Sequence, residues 1–332
     1  MFKKLLLVFV AVFCILTLSS CKERTYKADG VYLAFDVGTT TPQITVVKVT
    51  IKNDKVESFY IDCLQSTAVK NTENVVTAYN FNAQSKKQLL YKYGMHNKDD
   101  QAADYTKQDL NTEAGLNAYK AYLEETGKKE WFQQAELMEA YFKTNGVPDD
   151  LSNVSSVTIS DAGYTTLAKQ ALENAKAGKV YSWTYENGST LSVIWAEGTV
   201  NEKGKLTSLK IDERQGKVTN GTFAWNAQTK QELQYLYGMH NSDNQAAGYT
   251  KQDLKTEAGL NAYKEFLEET GKKEWFQQAE LLANYALSNG NVSNVTLNGT
   301  KLGDNAPEAI ASVSINVQNY FTVMQELLDA WK

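Results

Sequence analysis

The sequence predicts an α+β protein with two tandem copies of one domain, each an antiparallel sheet with its helices segregated to one side. The first observation is an internal duplication: residues 113–137 recur as residues 257–281, at an offset of 144, with two differences in 25 positions. The second is that each copy opens with β-branched runs, and the third is that its middle has helical periodicity. A unit of about 150 residues is too long for a solenoid repeat and has the size of a domain.

Strands come first in each copy. Runs rich in valine, isoleucine and threonine, with apolar residues at alternate positions, are typical of strands. The predicted strands are 31–35, 44–51 and 56–63 in the first copy and 191–200 and 206–211 in the second. Turn residues at 53–54 and 203–204 separate the last two strands of each copy, which predicts that these strands run antiparallel.

Helices follow the strands. Trp131, Ala135, Met138 and Phe142 recur at steps of three and four residues, which predicts a helix with one apolar face. The pairs 145–146 and 289–290 are both Asn-Gly, which indicates that the helix and its twin in the second copy end there. The two tryptophans of these helices, at 131 and 275, are therefore expected to be structural.

The tail of each copy places one hydroxyl between two apolar residues. At an offset of 156, residues 154–159 align with 310–315, so that Thr158 corresponds to Ser314. If these segments are strands, Val157 and Ile159 share the buried face and Thr158 points the opposite way. A helix is predicted after each segment, and a helix N-terminus favours a phosphate group. An ordinary polar strand residue is the alternative that this pattern leaves open.

The start of the chain has the features of a bacterial lipoprotein signal. Lys3 and Lys4 precede an apolar run at 5–18, which is shorter than the roughly 20 residues of a bilayer-spanning helix. The run ends in Leu-Ser-Ser before Cys21, which resembles a lipobox and implies that Cys21 carries a lipid; plain secretory cleavage is the alternative. We expect a signal peptide at 1–20, a tether at 21–27 and domain copies at 28–178 and 179–332. Such a protein lies on the outer face of a cell membrane, held by its lipid anchor.

Charge and motif content exclude several classes of function. The net charge is −5, and removal of Lys3 and Lys4 with the signal gives −5 − 2 = −7, which argues against nucleic acid as a partner. Cys63 would be the only thiol left besides Cys21, so no internal disulfide is expected. The two histidines, His96 and His240, lack clustered carboxylates or thiols, so we predict structural or surface roles for them and no metal site. No hydrolase, zinc-protease or phosphate-loop motif occurs, and no catalytic residue is assigned.

Several short motifs together resemble the FMN-binding domain of sodium-pumping quinone reductases and of Gram-positive surface flavoproteins. They are Asp-Gly-Val-Tyr at 29–32, Tyr-Gly-Met at 237–239, Glu-Trp-Phe-Gln-Gln-Ala at 274–279 and Val-Ser-Ser-Val-Thr-Ile-Ser at 154–160. The last is similar to the family's flavinylation motif, in which small residues precede the acceptor threonine. The resemblance implies that an FMN transferase links the phosphate of FMN to Thr158 and to Ser314. The flanking residues that it assigns to the cofactor sites are Ser156, Val157, Ser312 and Val313.

The function implied by this resemblance is that of a two-flavin lipoprotein of Gram-positive extracellular electron transfer. Electrons would pass from a membrane donor that oxidises quinol, through covalent FMN, to free flavins or ferric iron outside the cell. The family motif usually has an acidic residue six positions before the acceptor threonine. In the first copy Ser152 holds that place; the second copy has the acidic Glu308 there, but its acceptor is a serine. The alternative is a surface lipoprotein that binds a solute or glycan, since the chain has 19 tyrosines and 6 tryptophans.

Overall fold

A computed structural model describes residues 23–39, 41–99, 105–243 and 248–331 of the chain. The predicted signal peptide and Cys21 lie outside these residues, so lipidation stays a prediction. Among the described residues, no helix is both long and apolar enough to cross a bilayer.

Each half of the chain contains one four-stranded antiparallel sheet. In the first half the strands follow chain order: β1 (Gly30–Val37), β2 (Gln43–Lys52), β3 (Lys55–Lys70) and β4 (Val76–Phe81). In the second half the order is the same: β5 (Lys179–Glu186), β6 (Leu191–Val200), β7 (Leu206–Thr219) and β8 (Thr222–Trp225). The predicted mixed α+β class with antiparallel sheets is therefore confirmed.

Eight α-helices occur in the described part of the chain. They are α1 (Lys86–Leu89), α2 (Glu113–Thr126), α3 (Trp131–Asn145), α4 (Tyr164–Ala177), α5 (Lys230–Leu233), α6 (Glu257–Thr270), α7 (Trp275–Asn289) and α8 (Gln318–Ala330). Helices α3 and α7 end at Gly146 and Gly290, as the Asn-Gly pairs predict. Both glycines have positive φ, which is accessible to glycine without steric cost.

The helices cover one face of each sheet. Helix α4 packs on β1 and β2 and helix α3 on β3, while α8 packs on β5 and β6 and α7 on β7. The predicted apolar face of α3 is buried: Trp131, Ala135, Met138 and Phe142 are all at most 2% exposed. One continuous cluster of buried apolar residues runs beneath the helices of both halves.

The opposite faces of the two sheets pack against each other. Ile44, Leu64 and Phe81 of the first half are buried in one cluster with Leu191, Val193 and Phe223 of the second. Aromatic rings cross this interface, with ring centroids 5.1 Å apart for Phe81 and Tyr185 and 5.5 Å apart for Tyr79 and Phe223. We call these apolar residues the inter-sheet cluster.

Polar contacts add to this packing at one end of the interface. Asn187 uses its side-chain amide twice, accepting from Phe81 N at 2.8 Å and donating to Phe81 O at 3.1 Å. Trp225 donates its indole N–H to Gly38 O at 2.7 Å. These bonds satisfy backbone groups at the ends of the first sheet with side chains of the second half.

The tails of the two copies differ from the sequence prediction. Residues 154–159 and 310–315 are not strands; each segment begins at or just after a 3₁₀ turn, Leu151–Asn153 or Glu308–Ile310, and continues as turns and irregular chain. The extra residues of the second copy include a small hairpin of β9 (Leu297–Asn298) and β10 (Lys301–Leu302), which the sequence did not predict.

Candidate functional site

A buried glutamine holds the predicted acceptor segment in each copy. In the first copy, Gln134 Oε1 accepts from the backbone N–H of Thr158 at 2.7 Å and from that of Ile159 at 3.1 Å. In the second, Gln278 Oε1 accepts from Ser314 N at 2.7 Å and from Ile315 N at 3.2 Å. A side-chain oxygen therefore supplies the acceptor that a neighbouring strand would otherwise supply. We call this arrangement the glutamine clamp.

The clamp is itself fixed by its surroundings. Gln134 and Gln278 lie on α3 and α7 and are each 1% exposed. The side-chain amide of Gln134 donates to Lys129 O at 2.9 Å, and that of Gln278 donates to Lys273 O at 2.7 Å. Because both ends of the amide are bonded, its oxygen has one orientation toward the acceptor segment.

The clamp leaves the acceptor hydroxyls at the surface. Thr158 and Ser314 are exposed, and each hydroxyl lies beside the clamp oxygen, at 3.3 Å and 3.4 Å. Val313 and Ile315 are buried on either side of Ser314, and Val157 and Ile159 are half-buried beside Thr158. The predicted alternation of apolar and hydroxyl residues is confirmed, although its cause is the clamp and not a strand.

The flanking small residues are exposed in both copies. Ser156 has φ of 63°, in the left-handed region, and turns the chain just before the acceptor. Ser312 is exposed in the equivalent position. Ser152, at the place where the family motif is acidic, is bonded through its N–H to the Asp150 carboxylate at 2.7 Å. An acidic side chain thus lies close to this position although the sequence shifts it by two residues.

A cavity of about 440 Å³ opens beside Ser314. This volume falls within the roughly 300–1,000 Å³ of small-molecule sites. Ser314 and Ile315 lie on its wall with the first residues of α8, and the hairpin adds Thr300 and Lys301. Its aromatic lining comes from Tyr237, Trp275 and Tyr320.

The start of α8 borders this cavity, where the backbone N–H of Gln318 donates to Thr300 O at 3.3 Å. No side chain caps the helix, and Gln318, Asn319 and Tyr320 of its first turn line the cavity. At the corresponding start of α4, the Asp161 carboxylate accepts from the backbone N–H and hydroxyl of Thr165. The predicted anion-favouring helix start thus lies beside Ser314, whereas an acidic side chain occupies its counterpart.

A buried ion pair lines the same cavity. Glu213 and Lys230 are bonded at 2.8 Å, and their side chains are 5% and 10% exposed. Glu213 also accepts from Ser192 Oγ and from Gln215 Nε2, both at 2.8 Å, and from the Tyr320 hydroxyl. Burial and the Glu213 charge raise the pKa of Tyr320 well above its ordinary value, so this phenol stays protonated and donates. Sequence reasoning missed this cluster, because its members are far apart in the chain.

A second buried carboxylate positions the aromatic wall. Glu274 is fully buried and accepts from Trp275 N at 2.8 Å, from Met239 N at 3.1 Å and from the Tyr263 hydroxyl. Glu130 makes the same contacts with Trp131, Met95 and Tyr119 in the first copy. Glu274 therefore connects the start of α7 to the loop that carries Met239, another cavity residue.

The two histidines belong to this framework. His96 and His240 each lie with Nε2 3.2 Å from a backbone carbonyl, of Lys129 and Lys273. Burial lowers the pKa of His240, which favours the neutral ring as donor to that carbonyl. The predicted structural roles fit these contacts. Within the described ranges, no group of three or more histidine, cysteine or acidic side chains could hold a metal ion.

Cys63 lies in β3, in agreement with the predicted strand 56–63, and is 1% exposed. Burial raises the pKa of its thiol, although the nearby Lys86 charge acts in the opposite direction.

We expect that in a chain beginning at Lys22, where Cys63 is the only cysteine, a thiol reagent at pH 8 labels the native protein at least 100-fold more slowly than the urea-unfolded protein. Equal labelling rates would show that β3 is accessible in the folded state.

Residues 292–297 resemble the acceptor motif in sequence, with Thr296 at the place of the acceptor, but they differ from it in structure. Thr296 is exposed, and its carbonyl accepts from Gly303 N at 3.0 Å across the small hairpin. The chain continues from Thr296 into β9 rather than into a helix. Ser314, with its clamp and cavity, is therefore the better candidate acceptor of the second copy.

Comparison with known protein families, with curated proteins and with solved structures gives no significant match to this chain.

Proposed function

We propose that the chain is a membrane-anchored extracellular electron carrier with FMN linked through its phosphate to Thr158 and Ser314. The observation that carries the proposal is the repeated glutamine clamp, which presents one exposed hydroxyl in the same way in each copy. A hydroxyl that accepts a modifying group must be reachable by an enzyme and held in one orientation, and both acceptors meet these conditions.

The surroundings of Ser314 suit FMN in three respects. The cavity has room for a small cofactor, the half-buried ring of Tyr237 lies on its wall, and the first turn of α8, which has no side-chain cap, borders it where a helix start favours a phosphate. The flavin, when bound, would supply the electron transfer; the protein would position it and tune its potential. The two sheets and their helices would then be two tandem copies of an FMN-binding domain, over 28–178 and 179–332.

The remaining parts of the proposal follow from the sequence. A lipid on Cys21 would keep the carrier on the outer face of a Gram-positive cell membrane, next to the donor that oxidises quinol. Free flavins or ferric iron outside the cell would take the electrons. The chain would be the substrate of an FMN transferase rather than an enzyme itself.

Covalent attachment can be tested directly. We expect that the chain co-expressed with an FMN transferase gives a band with yellow flavin fluorescence after denaturing electrophoresis. Peptide mass mapping should find FMN less one water on the peptides that contain Thr158 and Ser314, because ester formation removes one water overall. A chain with both residues changed to alanine is the matched control and should give no fluorescence.

The same experiment addresses the alternative of a solute-binding lipoprotein. The polar and aromatic lining of the cavity, with Lys230 and Glu213, would also suit a free solute. A colourless band in the presence of an active transferase would reject the flavin carrier and leave a binding protein as the better account.

A further inference from the structure

The two copies differ in charge at one buried position. Asp62 and Asp212 are equivalent, because each accepts two backbone hydrogen bonds at Oδ1. One comes from the next residue's N–H, at 2.8 Å in both copies. The other comes from a short helix: from Lys87 N of α1 at 3.1 Å, and from Gln231 N of α5 at 3.0 Å. The residue after each aspartate therefore also corresponds. That residue is Cys63 in the first copy and Glu213 in the second.

A lysine occupies the same place in both copies. Lys86 Nζ lies 5.1 Å from the centre of the Tyr93 ring and 5.3 Å from that of Trp131. Lys230 Nζ lies 5.0 Å and 5.4 Å from the equivalent rings of Tyr237 and Trp275. Since Lys230 lines the cavity beside Ser314, Lys86 holds the matching position beside the Thr158 segment.

The second copy neutralises its lysine and the first does not. Lys230 is paired with the buried Glu213 carboxylate. Among the residues that the structure describes, Lys86 has no carboxylate within 4.0 Å, and Cys63 takes the place of the glutamate. Burial keeps the Cys63 thiol protonated by raising its pKa, so it contributes no charge.

The buried carboxylates Asp62 and Asp212 occur in both copies and cancel in the comparison, and other charges lie at the rims of the two sites. Asp161, near Thr158, is exposed and bonded to Thr165. Glu186 and Lys301, near Ser314, are exposed and opposite in sign. Water and salt screen exposed charges far more than buried ones, so the half-buried Lys86, the buried Lys230 and their immediate partners dominate the difference.

We propose that the two flavin sites are electrostatically unequal, with an uncompensated ammonium at the Thr158 site and a neutral ion pair at the Ser314 site, so that the flavin on Thr158 is reduced first. This inference rests on the proposed function. It assigns Lys86, Cys63 and Glu213 as the residues that set the order.

The sign follows from the charge that a flavin gains. Reduction by a quinol transfers two electrons and one proton to the flavin, which gains one negative charge, while the second quinol proton passes to solvent. A nearby cation stabilises that charge, and charges near the flavin ring are one of the ways in which a protein tunes its potential. At equilibrium, electrons would therefore occupy the flavin on Thr158 before the flavin on Ser314.

Single-site proteins give the decisive measurement. Ser314→Ala retains only the Thr158 flavin, and Thr158→Ala retains only the Ser314 flavin. In a dithionite titration with an indicator dye, the Thr158 flavin should have the more positive midpoint, with a reduction constant at least tenfold larger, which is about 30 mV for a two-electron couple. In these backgrounds, Glu213→Gln should raise the Ser314 midpoint and Lys86→Met should lower the Thr158 midpoint.

These measurements distinguish failure of the unequal-site proposal from failure of the proposed electron-carrier function. Flavin on both single-site proteins with equal or reversed midpoints would overturn the unequal sites and leave the electron carrier standing. Absence of covalent flavin from both would reject the carrier, and the proposed order of reduction with it.

The flavin-free protein tests the charge assignment by itself. Lys230→Met leaves the Glu213 carboxylate buried without its cation, and we expect the melting temperature to fall by about 10 °C. Lys86→Met removes a cation that has no such partner and should change it by less than about 2 °C. Equal decreases in melting temperature for the two variants would show that a buried negative charge compensates the Lys86 ammonium, contrary to the proposal.

Discussion

Replacing Gln278 by leucine is expected to lower flavin attachment at Ser314 roughly tenfold to hundredfold while leaving attachment at Thr158 unchanged. Leucine fills a similar volume but removes the oxygen that accepts from Ser314 N and Ile315 N. The segment then has two unpaired N–H groups and no fixed orientation, and a displacement of about 1 Å can reduce a transfer rate by about two orders of magnitude. Peptide mass spectrometry after a short exposure to the transferase measures the occupancy of each acceptor.

The duplication supplies the controls for this experiment. Gln134→Leu should reverse the pattern, with Thr158 affected and Ser314 spared, because the two clamps share no residue. Ser314→Ala sets the zero for the second acceptor. If Gln278→Leu lowered flavin occupancy equally at Thr158 and Ser314, the effect would be a general loss of folding, and the positioning role of the clamp would be rejected.

Replacing Glu274 by alanine should give one of the largest losses of stability, about 3–4 kcal/mol in the free energy of unfolding. Its fully buried carboxylate accepts from Trp275 N, Met239 N and the Tyr263 hydroxyl. Alanine leaves these donors buried without an acceptor, and each hydrogen bond to a charged group contributes about 1.5–3 kcal/mol without full additivity. Urea unfolding followed by tryptophan fluorescence measures the loss.

An exposed glutamate on the same helix serves as the matched control. Glu280 lies on the solvent side of α7, and Glu280→Ala should change the free energy of unfolding by less than about 0.5 kcal/mol. Similar losses for the two variants would contradict the role assigned to the buried carboxylate.

Much of the fold could be predicted from repeated local patterns. The strand prediction 191–200 coincides with β6, and the ends of α3 and α7 coincide with the Asn-Gly pairs. These features depend on residues adjacent in sequence, so alternation or a left-handed glycine identifies them. Strand β7 continues to Thr219, eight residues beyond the predicted end, through polar positions that no apolar pattern identifies.

The acceptor segments show where a local pattern misleads. Apolar residues on both sides of Thr158 and Ser314 are typical of a strand, but a strand needs a neighbouring strand for its backbone groups. The chain uses the side chain of Gln134 or Gln278 instead, and no pattern within residues 154–159 indicates that. A signal did exist: both glutamines lie in the 25-residue segment in which the copies are nearly identical.

The ion pair of the second copy could not be found by comparing the copies. Glu213 corresponds to the uncharged Cys63, so the alignment of the copies gives no sign of a buried carboxylate there. Its partner Lys230 is 17 residues away in sequence. Only the register of β6 with β7 and the placement of α5 bring the carboxylate, the ammonium and Ser192 together. Chemistry that depends on register between separate elements is outside the reach of sequence periodicity.

The inter-sheet cluster has a consequence for how this protein can evolve. Each sheet buries its second apolar face on the other, with Phe81 against Tyr185 and Tyr79 against Phe223. A single copy gained or lost by recombination would expose that face to water, which favours self-association. The two halves are therefore expected to be inherited together. A substitution at the shared face of one half would favour a compensating substitution in the other.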